Sequence, residues 1–290
     1  MPKLDHPYRS LTNGEWLRGN LHTHTTQSDG SNRPQRVIND YAKRGYDFLA
    51  ISDHDTYTST RDCRQWNDKG MVLMPGNEVT AKGPHILHVA ADRYVEPLAQ
   101  RQEVINQITA GNGLAVIAHP NWWDAFDGTP ITQMQEWVGY HGLEIYNGLI
   151  GRLMGSPYCT NKWDLLLSQG RRLWGFANDD SHYGPDVERG WNVVYSKKRT
   201  VKEITSALAA GRFYTSSGVV ISSIRVRGNR IKIETENAAV INVISDFGRR
   251  VGSADGPQID FEVPEGVRYV RFECWGVGEQ FAWTQPFFVS

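Results

Sequence analysis

Through about residue 200, short apolar runs alternate with amphipathic stretches, and a histidine or carboxylate follows most of the runs. The apolar runs, at 16–21, 48–52, 72–75, 86–90, 114–118, 143–146, 173–177 and 191–195, have the length of buried strands. Helix-like segments lie between several of them, at 34–44, 97–110, 132–140, 163–169 and 201–210. The first opens with Pro34 in its first turn and stops at Gly45. The last has Thr200 and Glu203 at capping-box spacing and stops at Gly211. This alternation predicts an α/β fold of parallel strands with crossover helices, either a barrel or a doubly wound sheet, and the barrel is preferred.

After Gly211 the texture changes to short β-rich runs at 219–226, 230–234, 240–244, 258–263, 269–275 and 281–289. Turn signals such as Arg227-Gly228-Asn229 and Asp255-Gly256-Pro257 separate them. Spacing of about ten residues without a helical pattern predicts a small C-terminal antiparallel β-sandwich-like domain. The expected domains are therefore 1–214 and 215–290, and 290 residues suit one large and one small domain.

A formal net charge of −1 gives no electrostatic footprint for a nucleic-acid duplex or a membrane surface. No run approaches the ~18 apolar residues of a membrane span, and residues 1–6 lack the apolar stretch of a secretory leader. Cys63, Cys159 and Cys274 are far apart and odd in number, which points away from a disulfide framework and toward a reducing, cytoplasmic setting.

The chain has nine histidines, and seven of them lie in or just past predicted strands. His22 and His24 follow the first run, with Asp29 shortly after; His54 follows the second within Asp53-His54-Asp55. Glu78 follows the third in Gly76-Asn77-Glu78, and His119 follows 114–118 in Ala118-His119-Pro120-Asn121. Asp180 and His182 follow 173–177. In a parallel barrel the strand ends gather at one rim, so such residues can meet. Residues two apart in extended chain project the same way, so His22 with His24, or Asp180 with His182, can hold one ion. Neutral imidazoles with carboxylates suit manganese, iron or zinc rather than magnesium or calcium. Glu78, with two oxygens, can bridge two ions. A lone histidine at a strand end is more often structural, but the joint set is hard to place by chance on one rim. His85 and His88 have opposite-facing offsets on one strand, so only one of them is expected at the metal. The other is expected to be buried and hydrogen-bonded. His6 and His141 read as structural.

The ordered motifs Asn20-Leu21-His22-Thr23-His24 with Asp29-Gly30, Ile51-Ser52-Asp53-His54, Gly76-Asn77-Glu78, His85-Ile86-Leu87, Ala118-His119-Pro120-Asn121, Leu143-Glu144-Ile145 and Asp180-Ser181-His182 resemble the polymerase and histidinol phosphatase (PHP) superfamily of metal-dependent phosphoesterases. The resemblance spans residues 20–182 and implies a distorted (β/α)7 barrel holding two or three divalent ions. It implies His22, His24, Glu78 and Asp180 for a first ion, and Glu78 and His119 with the fifth-strand histidine for a second, where His85 matches better than His88. Asp29, His54 and His182 would then serve a third ion or the substrate phosphate.

The expected activity is a phosphatase or phosphodiesterase acting on a small phosphorylated metabolite or nucleotide, through a water activated between the ions. His54 or His182 would be the general acid, with Asp29 beside them. Asp53 and Asp55 either orient His54 or cap the following turn. Arg152 and Arg189 could contact phosphate, although a solvated surface is the commoner fate. Trp122 and Trp123 either wall the pocket or stack on a base or sugar, or they simply pack, and Asn147 and Asn178 are polar groups at the rim. The same ions could polarise a carboxyl ester, carbamate or amide instead. A non-catalytic metal-containing module is the weakest alternative, because every motif position is filled.

Overall fold

In the computed structural model the described residues are 2–9 and 11–290; Met1, part of the stretch read for a leader, and Ser10 lie outside them. The first half runs β1 (Leu4–Asp5), β2 (Glu15–Asn20), α1 (Pro34–Ala42), β3 (Phe48–Ala50), α2 (Thr60–Cys63), β4 (Val72–Met74), β5 (Gly76–Val79) and β6 (Ile86–Val89). It continues with α3 (Arg101–Thr109), β7 (Leu114–Ile117), α4 (Ile131–Glu136), β8 (Gly142–Asn147), α5 (Thr160–Ser168), β9 (Trp174–Asn178), β10 (Trp191–Ser196) and α6 (Val201–Ala209). Thereafter only strands and one short turn of 3-10 helix follow. The strands are β11 (Phe213–Ser216), β12 (Ile221–Arg227), β13 (Arg230–Thr235), β14 (Val240–Ser245) and β15 (Arg249–Asp255), then β16 (Gln258–Glu262), β17 (Tyr269–Trp275), β18 (Phe281–Thr284) and β19 (Phe287–Val289).

The fold is mixed α/β, and two sheets form the part that carries the histidines. One has the order β5-β6-β7-β8-β9; the other runs β4-β3-β2-β10 and continues into β11, β18 and β17. Pairing is parallel for β2–β3–β4 and β7–β8–β9, as expected of strands joined through helices. Around β6 the expectation fails: β5–β6 and β6–β7 are antiparallel. Only residues 80–85 join β5 to β6, too few for a crossover helix, so the chain turns straight back. Two isolated parallel bridges, Thr23–Ser181 and His54–Glu78, stitch the two sheets together, with Thr23, Ser181 and His54 just past strand ends and Glu78 within β5. Asn192 does the same between β9 and β10: its side-chain amide donates to Ala177 O and accepts from Ala177 N.

Apolar side chains from both sheets fill the space between them, among them Leu17, Leu21, Phe48, Met74, Leu87, Val116, Phe176 and Phe213. On the outer face, α3 buries Val104, Ile105 and Ile108 against Ile86 and Ile117. Every second residue of β6 therefore faces inward, which decides where His85 and His88 go.

The C-terminal strands pair antiparallel throughout. The separate sheet β12-β13-β16 contributes Ile224, Ile231, Ile233 and Ile259 to one cluster with Ile241, Val243 and Phe272. The larger sheet crosses residue 214 without a break, because β11 pairs with β10 on one side and β18 on the other. Arg271 of β17 is fully buried and grips Asp164 of α5 through Nε and Nη2 at 2.7 and 2.6 Å. No helix among the described residues is long and apolar enough to cross a membrane, and all three cysteines are free and buried.

Candidate metal centre

Glu78 is fully buried at the centre of the histidine cluster. Oε1 lies 3.0 Å from His85 Nδ1, 3.1 Å from His119 Nε2 and 3.4 Å from His22 Nε2. Oε2 lies 2.8 Å from His54 Nδ1 and 3.6 Å from His24 Nε2. Asp180 Oδ1 is 3.2 Å from His22 Nε2 and 3.1 Å from His24 Nε2. The outer edge is Asp29, whose Oδ2 is 3.3 Å from His182 Nε2 and 3.5 Å from His54 Nε2. The floor is closed to water, whereas His54, His85 and His182 are partly open and Asp29 is exposed.

Four sets of donor atoms lie within 4.8 Å of one another. They are His22, His24 and Asp180; His22, Glu78 and His119; His54, Glu78 and His85; and His24, Asp29, His54 and His182. All nine residues picked out from the motifs therefore come together. The grouping differs from the expected one: Glu78 is absent from the set of His22, His24 and Asp180, His85 and His119 fall in separate sets that share Glu78, and His24 joins Asp29, His54 and His182. His88 is not among them. It faces outward from β6, where its ring lies against Gly113, and neither ring nitrogen has a hydrogen-bond partner, contrary to the expected hydrogen bond.

The donor set fits divalent ions. His22 Nε2, His24 Nε2, His54 Nδ1, Glu78 Oε2 and Asp180 Oδ1 are buried without a hydrogen bond, although several approach one another closely. Buried polar atoms left unpaired are costly, and here they converge on common points. Charge agrees. Burial opposes protonation of His22, yet Asp180, Glu144 and Glu78 together hold its pKa well above the ordinary value. Burial pushes Glu78 upward, but His22, His85 and His119 hold it well below the usual carboxylate range. Three buried carboxylates thus attract positive charge, which protonated imidazoles supply when no ion is present.

The supports are local. His22 Nδ1 donates to Glu144 Oε1 at 2.8 Å, so Nε2 is aimed at the cluster and offers its lone pair there once its proton has left. Glu144 Oε2 accepts from the His119 backbone N–H at 2.8 Å and from Asn147 Nδ2 at 2.7 Å. Asn178 donates to Glu144 Oε1 and accepts from the Leu21 N–H, tying β9, β8 and β2 into one unit. His182 Nδ1 donates to the Asp180 carbonyl, leaving Nε2 free. His119 and Asp180 both sit at positive φ, 28° and 54°, a backbone state that non-glycine residues hold only when their surroundings impose it.

Asp53 and Asp55 touch other partners than His54. Asp53 accepts from Thr25 N, Thr25 Oγ1 and Ser28 Oγ, and so fixes the loop carrying Asp29. Gly30 lets that loop close, since a Cβ there would lie 2.5 Å from the His24 backbone. Asp55 accepts from Thr80 N, Thr80 Oγ1 and Ala81 N, fixing the turn after β5.

Above the cluster is a cavity of about 240 Å³ lined by cluster residues with Trp122, Leu149, Ile150, Arg152 and Leu153. Arg152 lines it while paired to both oxygens of Asp186 at 2.9 and 3.1 Å. Arg189 lies away from it, its Nε donating to Pro185 O. His6 and His141 stand apart, each accepting a backbone N–H, from Tyr8 and Ala115.

The sequence alone assigns no task to Glu144 and no specific one to Asn147 or Asn178. The signal was a carboxylate inside the otherwise apolar strand Leu143-Glu144-Ile145, where a charge must have partners.

No family model matches the chain. It is similar to phosphoribosyl 1,2-cyclic phosphate 1,2-diphosphodiesterase of Eggerthella lenta, 33% identical over 86 residues that cover 27% of this chain and 33% of that protein. The chain thus spans about a third of that relative's length. It is also similar in structure to a two-domain protein of Bacteroides vulgatus containing a predicted PHP-like metal-dependent phosphoesterase. The TM-score is 0.57 at 16% identity, covering 99% of this chain and 98% of that one. In fold the chain thus resembles that PHP-like protein over nearly its whole length.

Proposed function

We propose that this protein is a metal-dependent phosphoesterase, a phosphatase or phosphodiesterase that hydrolyses a small phosphorylated metabolite or nucleotide. The observation that carries the reading is Glu78, one carboxylate within reach of five imidazoles, amid donor atoms buried without partners. The diphosphodiesterase similarity of a part of the chain supports phosphorus as the centre attacked.

His22, His24, Glu78, His119 and Asp180, with His85, would hold two divalent ions of manganese, iron or zinc. Asp29, His54 and His182 would hold a third or bind the phosphate directly. Such ions neutralise phosphoryl oxygens and acidify water. The chain's own groups do the rest. Burial works against a proton on His54, but Glu78 and Asp29 more than offset it and raise its pKa. His54 is thus suited to carry a proton at the mouth and release it to a leaving alkoxide. His182, its Nε2 facing Asp29, is the other candidate donor. Asp29 orients both rings, and Trp122 with Leu149 and Ile150 shields the floor from bulk water.

We read those strands of the two stitched sheets that lie within residues 1–214 as a distorted (β/α)7 barrel, and 215–290 as a small β-sandwich-like module that extends the larger sheet. The test is turnover of p-nitrophenyl phosphate, its bis-ester and p-nitrophenyl acetate by the manganese-loaded protein. Turnover of phosphate esters that chelation abolishes is expected. Metal-dependent turnover of the acetate alone would transfer the activity to carboxyl esters, and none on any substrate would sink the enzyme reading. A His22→Ala variant that kept both metal content and activity would overturn the site assignment.

A further inference from the structure

The cavity above the cluster has both polar and apolar lining. Asp29, His54 and His182 belong to the first kind, and Trp122, Leu149, Ile150 and Leu153 supply an apolar part, a slot in which Trp122 lies beside the histidines. Trp122 has its indole 5.0 Å from the His119 ring and 5.5 Å from the His85 ring, so the slot opens onto the donor atoms themselves. Its ring stacks on Trp123 at 4.3 Å and 19°, which braces it from behind.

The slot is built rather than incidental. The two loops that form it are clasped by a Trp122–Gly155 bridge and by the Ser156 N–H, which donates to Asn121 O. The clasp requires glycine, since Gly155 has φ +113° and a Cβ there would lie 2.4 Å from Asn121 O. Trp123, Ala125 and Phe126 all hold positive φ, and Trp123, Phe126, Leu153 and Met154 stand exposed on these loops. Exposed apolar side chains on loops beside a polar site mark a surface that a ligand can cover.

Charge limits the ligand further. Arg152 is the single lysine or arginine among the described lining residues, and both oxygens of Asp186 already engage it. With no unpaired lysine or arginine lining the cavity, a second or third phosphate would have to share the histidines and the ions they would hold with the first.

We propose that this slot takes a flat aromatic ring carried on the alcohol side of a single-phosphate ester, with Trp122 as the residue that selects it. The proposal rests on the phosphoesterase reading above and adds the substrate class. Hydrolysis would consume one water and release the ring-bearing alcohol and phosphate. The ring could belong to a nucleoside or to an aryl alcohol, and the test separates these. A ring stacked on an aromatic side chain gains about tenfold or more in affinity.

The experiment compares kcat/KM on the manganese-loaded full chain within pairs that share a leaving-group type: adenosine 5′-monophosphate against ribose 5-phosphate, and benzyl phosphate against ethyl phosphate. The ring-bearing member should win by about tenfold or more in at least one pair, and the pair in which it does identifies the ring. Adenosine 5′-diphosphate should be poorer than the monophosphate. Trp122→Ala should bring the ratio near one, whereas Trp122→Phe should keep most of it. As a readout independent of turnover, the metal-free protein should bind adenosine or benzyl alcohol, and Trp122→Ala should weaken that binding in a calorimetric titration. Equal kcat/KM within both pairs, or a ratio untouched by Trp122→Ala, overturns the proposal while leaving the phosphoesterase reading intact. Absence of metal-dependent turnover on all of these esters would instead count against that reading.

Discussion

Glu144 Oε1 lies 2.8 Å from His22 Nδ1, on the side of the ring opposite the donor cluster. The carboxylate therefore points His22 Nε2 at Glu78 and Asp180 while staying outside the cluster itself. In Glu144→Gln, one end of the side chain becomes an NH2 group facing two donors, whichever way the amide lies. Metal affinity should fall about 10–100-fold with the far-UV spectrum unchanged. Competition against a fluorescent chelator measures it, and an unaltered affinity would show that Glu144 serves packing alone.

Metal binding should be proton-linked. His22 and His119 are held above the ordinary histidine pKa by neighbouring carboxylates that outweigh burial, so their protons must leave before an ion is bound. Affinity should accordingly drop as pH falls, about tenfold per unit for each proton displaced. Calorimetry in two buffers of different ionisation enthalpy should report proton release. A flat profile between pH 8 and 6 would contradict the arrangement.

Ions that bind only the folded protein also stabilise it. At a free concentration about a hundred times the dissociation constant, the gain is about 2.7 kcal/mol. Chelation should therefore lower Tm by several degrees, and His24→Ala should shrink that shift. Differential scanning calorimetry with and without manganese makes the comparison.

His88 carries an acid sensitivity unconnected with the ions. Burial pushes its pKa down to about 4, and without hydrogen-bond partners its neutral form is the one the fold accepts. The stability this supplies is full above about pH 6.5 and is lost progressively as pH falls toward 4, where the unfolded chain takes up a proton that the folded chain refuses. Between pH 7 and 5 the loss is about 2 kcal/mol. Replacement by leucine should remove that part of the pH dependence in urea unfolding of the metal-free protein, and an identical acid loss in the variant would refute it.

The Asp164–Arg271 pair joins α5 to β17 out of contact with water. Asp164→Ala leaves a guanidinium buried with only Glu273 beside it and should cost about 3–5 kcal/mol. Asp164→Leu combined with Arg271→Met should recover much of that loss. Denaturant unfolding of the two variants decides, and equal losses would mean that packing rather than charge governs the contact.

Much of the site was legible because donor residues stood directly after apolar runs, and strand ends gather at a rim. Helix α6 was legible from Thr200 and Gly211, and Thr200 does accept from the Glu203 N–H. The reversal at β6 was not. Gly76-Asn77-Glu78 read as a loop beyond its strand, whereas Gly76–Val79 pairs as a strand of its own and sends the chain back. The tasks of Asp53 and Asp55 were hidden as well, because their partners Ser28 and Thr80 lie 25 residues away in sequence and only the fold brings them close. Strand β11 passed as a boundary because Tyr214-Thr215-Ser216-Ser217-Gly218 has the composition of a linker.

The pairing of β11 with β18 has one further consequence. A chain stopped after β11 would present that strand's open hydrogen-bonding edge, a template for sticking to other molecules. With β18 in place, the large sheet ends instead on the two-residue β1, the three-residue β4 and β15, which opens with Arg249 and Arg250. The last seventy-odd residues thus cover an edge that the rest of the sheet would leave open.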